Sequence, residues 1–110
     1  MAKKYMPLIK KLQKAININF DKRILINKTQ FYSDKTESII EMIVIKQAVW
    51  DEKKQKIVNI KLFESASDIQ ILLYMRDYWY QLNGWEIPTD NEYWQDVKRK
   101  KGIDATVELR

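Results

Sequence analysis

The chain has no cysteine and no histidine. Without cysteine there is no disulfide frame and no thiolate nucleophile. Without histidine the commonest general base, the commonest zinc ligand and the usual pH switch are gone. Glycine is scarce as well: Gly84 and Gly102 are the only two. Both fall at expected helix ends, so no glycine-rich phosphate loop can be built. Long apolar runs are also missing. A membrane-spanning helix needs about 20 consecutive apolar residues, and no stretch of this sequence comes near that. Residues 1–16 carry positive charge but lack the apolar core of a secretory signal, so the expected location is cytoplasmic. Acidic side chains could hold a hard cation such as Mg²⁺. However, Asp51 and Glu52 fall in a turn, and Asp68 and Glu92 in first helical turns. No metal site or cofactor is therefore expected, and the chain reads as non-enzymatic.

What remains is a chain of 110 residues, 45% apolar and 12% aromatic. That suffices for one domain, residues 1–110, which buries roughly 65% of its unfolded surface. Charged residues make up 32%, with a net charge of +5. Lysine outnumbers arginine 16 to 4, and there are 15 isoleucines, a bias that reports an AT-rich coding sequence rather than a fold. The charge is uneven along the chain. Residues 1–35 carry +7, residues 36–97 carry −5 and residues 98–110 carry +3. If the two basic ends meet in space they form a patch suited to an anionic partner.

Helical spacing places Tyr5, Leu8, Ile9, Leu12, Ala15 and Ile16 on one face of a helix over 5–16, with Pro7 in its first turn. From Ile18 to Phe63 the period becomes strand-like. Residues 23–26 and 29–33 read as two short strands joined by a turn at Asn27-Lys28. Residues 38–50 are apolar on alternate positions of both faces, which predicts a central strand covered by helices on both sides. Residues 51–55 are a polar hairpin connection, and Val58, Ile60 and Leu62 form a half-buried strand pairing back on 44–50. A second helix starts at Ser67, with Gln70 as capping-box partner, and stops at Asn83-Gly84. A third starts at Thr89, with Glu92, Tyr93, Trp94 and Val97, and closes on a basic run before Gly102. Alternation from Ile103 to Leu109 gives a last strand. The expected architecture is α+β: three helices on a mostly antiparallel sheet of four to five strands, in the order α-β-β-β-β-α-α-β.

Two features point beyond the core. Seven of the thirteen aromatics lie between Tyr74 and Trp94. Tyr74 falls on the polar stripe of the second helix and Trp85 in the loop after it, where packing does not obviously claim them. Arg76 falls on an otherwise apolar arc and needs a partner, such as Glu64, Glu86, an aromatic face or an external phosphate. These residues, with the basic positions Lys10, Lys14, Lys98, Arg99, Lys100 and Lys101, are the candidate contacts for phosphate and stacked bases. The same residue types also anchor protein interfaces.

Arg76-Asp77-Tyr78, followed by Asn83-Gly84-Trp85-Glu86-Ile87-Pro88-Thr89-Asp90-Asn91-Glu92, resembles part of the winged-helix DNA-binding domains of the SOS-repressor type. The match is to their first helix and the lead-in to their second. In that family a third helix enters the major groove. Here Lys101-Gly102 runs into a strand instead, so that helix has no counterpart and no DNA-reading residue carries over. The sequence thus supports two expectations. One is a nucleic-acid-associated accessory protein, of a size and composition that suit a phage or other mobile element. The other is a protein-interaction module, an inhibitor or accessory subunit, working through the aromatic helix pair or the strand at 103–109, with a homodimer as a special case.

Overall fold

A computed structural model describes residues 5–87 and 89. Pro7 stands in the first turn of helix α1, Met6–Phe20, where its missing N–H costs nothing. Met6, Leu8, Ile9, Leu12 and Ile16 form the buried stripe of this helix. Tyr5 gives α1 no side-chain cap. Instead Asp68, at the start of the second helix, accepts a hydrogen bond from the Tyr5 N–H at 2.9 Å. The helix closes at Asp21, whose φ of 52° is left-handed, a conformation aspartate tolerates better than most residues.

Three strands follow: β1, Ile24–Ser33; β2, Ser38–Asp51; and β3, Lys56–Ser65. They pair as an antiparallel meander in the order β1-β2-β3. The turn between β2 and β3 is held by Asp51, whose Oδ1 accepts from the N–H groups of Lys53 and Lys54 at 2.9 and 3.1 Å. Helix α2, Asp68–Asn83, ends at Gly84 with φ of 72°. The N–H of Gly84 reaches the Gln81 carbonyl and that of Trp85 the Tyr80 carbonyl, the paired bonds of a glycine C-cap.

Both helices lie on one face of the sheet. Odd-numbered residues of β2 point toward them, and Ile43 and Ile45 are fully buried with Ile24 of β1 beneath the stripes of α1 and α2. The helices run in the same direction. Tyr5 is tied to Asp68 at one end, and the Phe20 ring meets Trp79 edge-on at 5.8 Å near the other. Between Ile45 and Lys46 the register with β3 shifts, leaving Leu62 as an extra residue. This bulge turns both Leu62 and Phe63 toward the core.

The structure corrects the expected architecture. It is α-β-β-β-α, with two helices and three strands among the described residues, in place of three helices and four to five strands. The turn expected at Asn27-Lys28 does not exist. Both residues are extended and pair with Val44 and Ile43, because a half-exposed strand accepts polar side chains without a break. Helix α1 continues to Phe20 through residues of modest helix propensity, supported by the Asn19 side chain on the Ala15 carbonyl at 2.8 Å. Ser67 does occupy the N-cap of α2 but makes no side-chain capping bond. The second helical cover expected over β2 is not found among the described residues. The third helix from Thr89 and the strand at 103–109 lie outside the described residues, apart from Thr89 itself.

One-sided burial has a direct test. Ile43→Ala should cost about 2–5 kcal/mol, whereas Met42→Ala, next to it but on the other face, should cost less than half of that. Equilibrium unfolding in urea measures both.

Candidate functional site

Tyr74 is claimed by the fold. Its ring stacks on Phe63 of β3 at 4.8 Å with planes 3° apart, and Tyr78 meets it edge-on at 6.4 Å. The bulge at Leu62 is what brings Phe63 under α2 for this stack. Trp85, carried past the Gly84 turn, packs edge-on against Trp79 at 6.0 Å and Tyr80 at 5.5 Å. It closes the end of the core. Arg76 is 4% exposed. Its Nη2 lies 2.6 Å from the Asp77 carboxylate and its Nε donates to the same oxygen at 2.8 Å. This protein carboxylate compensates the buried charge; it was not among the carboxylates the sequence suggested, Glu64 and Glu86, which stood beside an aromatic face and an external phosphate as expected partners.

Two shallow clefts flank Tyr74. One is lined by Gln47, Leu62, Tyr78 and Gln81. The other is lined by Phe63, Gln70, Leu73 and Arg76. Asp77 borders both. Burial pushes the Tyr74 hydroxyl above its ordinary pKa of 10.0, and the neighbouring Tyr78 raises it further. Burial also raises Tyr78. Neither shift moves toward neutral pH, so neither hydroxyl is poised as an acid or base. No group of three or more metal-ligating side chains occurs among the described residues.

The basic candidates do not join these aromatics. Lys10 and Lys14 are exposed on α1, on the side of that helix turned from the core. Lys98, Arg99, Lys100 and Lys101 lie outside the described residues. The helix side of the molecule therefore gathers Tyr74, Arg76 and Trp85, and it uses all three for packing.

A surface that the sequence reading missed lies on the other face of the sheet. There the even-numbered residues of β2 (Ile40, Met42, Val44, Lys46, Ala48 and Trp50) run in one row. Phe31 stands beside Ile40, Lys61 beside Lys46 and Ile57 beside Trp50. Trp50 and Ile57 are each 54% exposed, and Phe31 is 49% exposed. Arg23, Ala48, Trp50 and Ile57 share a shallow hollow. Arg23, Lys46 and Lys61 bring three cations, while Glu64 is held by Lys61 at 3.0 Å. The signal was present in the alternation of 40–50, but a strand apolar on both faces was expected to be covered on both.

The chain matches no protein-family model, no curated protein and no solved structure. No described helix is long and apolar enough to cross a membrane.

The raised tyrosines predict an alkaline instability. A group with a raised folded pKa stabilises the fold fully below its unfolded pKa and loses that contribution as pH rises through the folded value. Stability should therefore decline from about pH 10 upward. The decline should be shallower in Tyr74→Phe and Tyr78→Phe when urea midpoints are compared at pH 8 and pH 11.

Proposed function

We propose that the protein is a small non-enzymatic nucleic-acid-associated factor whose working surface is the sheet face opposite its two described helices. The observation that carries this reading is the pairing of an exposed tryptophan with cations on that face. Trp50 offers a π-surface beside Arg23, with the paired Lys46 and Lys61 four residues along the strands from Trp50 and Ile57. Aromatic platforms flanked by basic side chains are how open sheets hold unpaired bases, stacking on the ring while phosphates meet the cations. Phe31 stands at the far end of the row, about 34 Å from Trp50 at the rise of an extended strand. A single strand of nucleic acid laid along β2 would span the two. The net charge of +5 and the exposed Lys10 and Lys14 add long-range attraction.

A second reading is favoured by a separate observation on the same face. Ile40 and Met42 are neighbours on this face and only partly buried, with the exposed Phe31 beside Ile40. An apolar patch that no described helix covers marks protein contacts as well. A protein partner would centre on this column rather than on Trp50.

Titration of labelled single-stranded DNA and RNA oligonucleotides, followed by anisotropy and by Trp50 fluorescence, tests the first reading. Binding should weaken with salt with a log–log slope of about −1.4, from Arg23 and Lys46 at roughly 0.7 each, since Lys61 is held by Glu64. Trp50→Ala should weaken it by about 1–3 kcal/mol, the range for one lost stacking contact. Absent binding, or binding indifferent to salt and to Trp50, overturns it. A partner that survives nuclease treatment and is lost in Ile40→Asp would establish the second reading instead.

A further inference from the structure

Strand β1 has one edge on β2 and one that no described strand covers. In an antiparallel ladder, residues alternate between pointing their N–H and C=O toward the neighbour and away from it. The Ala48 N–H bonds the Arg23 carbonyl at 3.0 Å, which fixes the alternation. Arg23, Leu25, Asn27, Thr29 and Phe31 turn inward to β2, and Ile24, Ile26, Lys28, Gln30 and Tyr32 turn outward. At Ile24 helix α1 fills the place of a neighbouring strand. Asn17 accepts from the Ile24 N–H at 2.8 Å, and the side-chain amides of Asn17 and Gln13 donate to its carbonyl at 3.2 and 2.8 Å. Beyond Ile24 the outward groups of Ile26, Lys28, Gln30 and Tyr32 have no protein partner among the described residues.

The two edges of the sheet are not alike. Strand β3 is interrupted by its bulge and carries Lys56, Lys61 and Glu64, devices that discourage further pairing. The free stretch of β1 pairs in unbroken register with β2, has no proline, and bears one charge, Lys28. It is bounded by the Asn17–Gln13 cap at one end and by the turn after Ser33 at the other. Its midpoint is Thr29.

We propose that this edge pairs with the same edge of a second copy, antiparallel about a two-fold axis through Thr29, to give one six-stranded sheet. The arithmetic of the strand selects that register. Residues that face each other must sum to 58, which sets Ile26 opposite Tyr32 of the partner subunit and Lys28 opposite Gln30 of the partner subunit. Every outward group then finds a mate, about eight hydrogen bonds in all, and the capped Ile24 falls just outside the pairing. The neighbouring registers are worse. A sum of 56 sets the two Lys28 side chains against each other and drives Tyr32 onto the blocked Ile24. A sum of 60 leaves Ile26 unpaired. In the chosen register Ile26 and Tyr32 meet on the helix side, and no like charges oppose each other. The axis closes the assembly at two copies, because the edges left outside are the guarded β3 strands. This pairing does not rest on what the sheet face opposite the helices binds.

At the axis the two Thr29 residues form a non-hydrogen-bonded pair, with Cα atoms about 4.5 Å apart, inside the range of about 4.4–6.8 Å that a disulfide spans. The native chain has no cysteine, so Thr29→Cys introduces a single thiol. Mild oxidation should convert most of it to a covalent dimer, while Gln55→Cys, in the far turn, should cross-link at least tenfold more slowly. Light scattering of the native chain should give twice 13.3 kDa. Lys28→Pro removes an outward N–H that β2 does not use, so it should keep the native circular dichroism and return the mass to 13.3 kDa. A native chain that stays a folded monomer up to its highest soluble concentration overturns the proposal. So does a Lys28→Pro protein that remains dimeric, or a Thr29→Cys thiol that cross-links no faster than Gln55→Cys.

Discussion

Ile43 and Ile45 of the central strand have to be kept from water, and two helices on one side of the sheet do it. Each isoleucine contributes about 1.5–3 kcal/mol when fully buried, and both are completely enclosed. The stripes of α1 and α2 converge on this pair, and Ile24 joins them from β1. The short connections of the meander then fix the rest, because α1 and α2 arrive from opposite ends of a three-stranded sheet and must share its one covered face.

Polar bonds set how the helices sit. Asp68 accepts from the N–H of Tyr5, the N-cap of α1, while standing in the first turn of α2, where a carboxylate also suits the helix dipole. Asn17 and Gln13 fasten the other half of α1 to the backbone of Ile24. With Asp68 at one end and these two amides further on, α1 is held at two separated points. The cost that remains is at Trp79, whose buried Nε1 has no hydrogen-bond partner, although Phe20 and Trp85 pack edge-on against its ring.

Much of this was legible in the residues. The two amphipathic stripes, the Gly84 stop, the polar turn at 51–55 and the pairing of the 58–62 region with 44–50 follow from periodicity and turn chemistry. The continuous β1 was not legible. Asn27-Lys28 looks like a turn locally, and only the pairing with Val44 and Ile43 extends it. The packing roles of the candidate residues were not legible for a related reason. Tyr74, Arg76 and Trp85 look unclaimed on a helical wheel, yet Phe63, Asp77 and the Trp79–Tyr80 corner claim them through tertiary contacts that no wheel contains. Trp50 and Lys46, by contrast, were passed over because a double-sided apolar strand implied two covers. Single-sequence patterns report which faces are apolar, but they do not report what lies on them.

The extra residue at Leu62 also makes β3 intolerant of length change on one side only. Side chains alternate faces, so a one-residue slip moves a whole set to the other side. Removing Phe63 would set Glu64 opposite Ile45, on the helix side, and take away the ring that Tyr74 stacks on. Adding a residue in the turn at 52–55 would merely lengthen a loop that already lies in solvent. Insertions and deletions should therefore accumulate in that turn across related chains, while the four residues from Leu62 to Ser65 keep their spacing to α2.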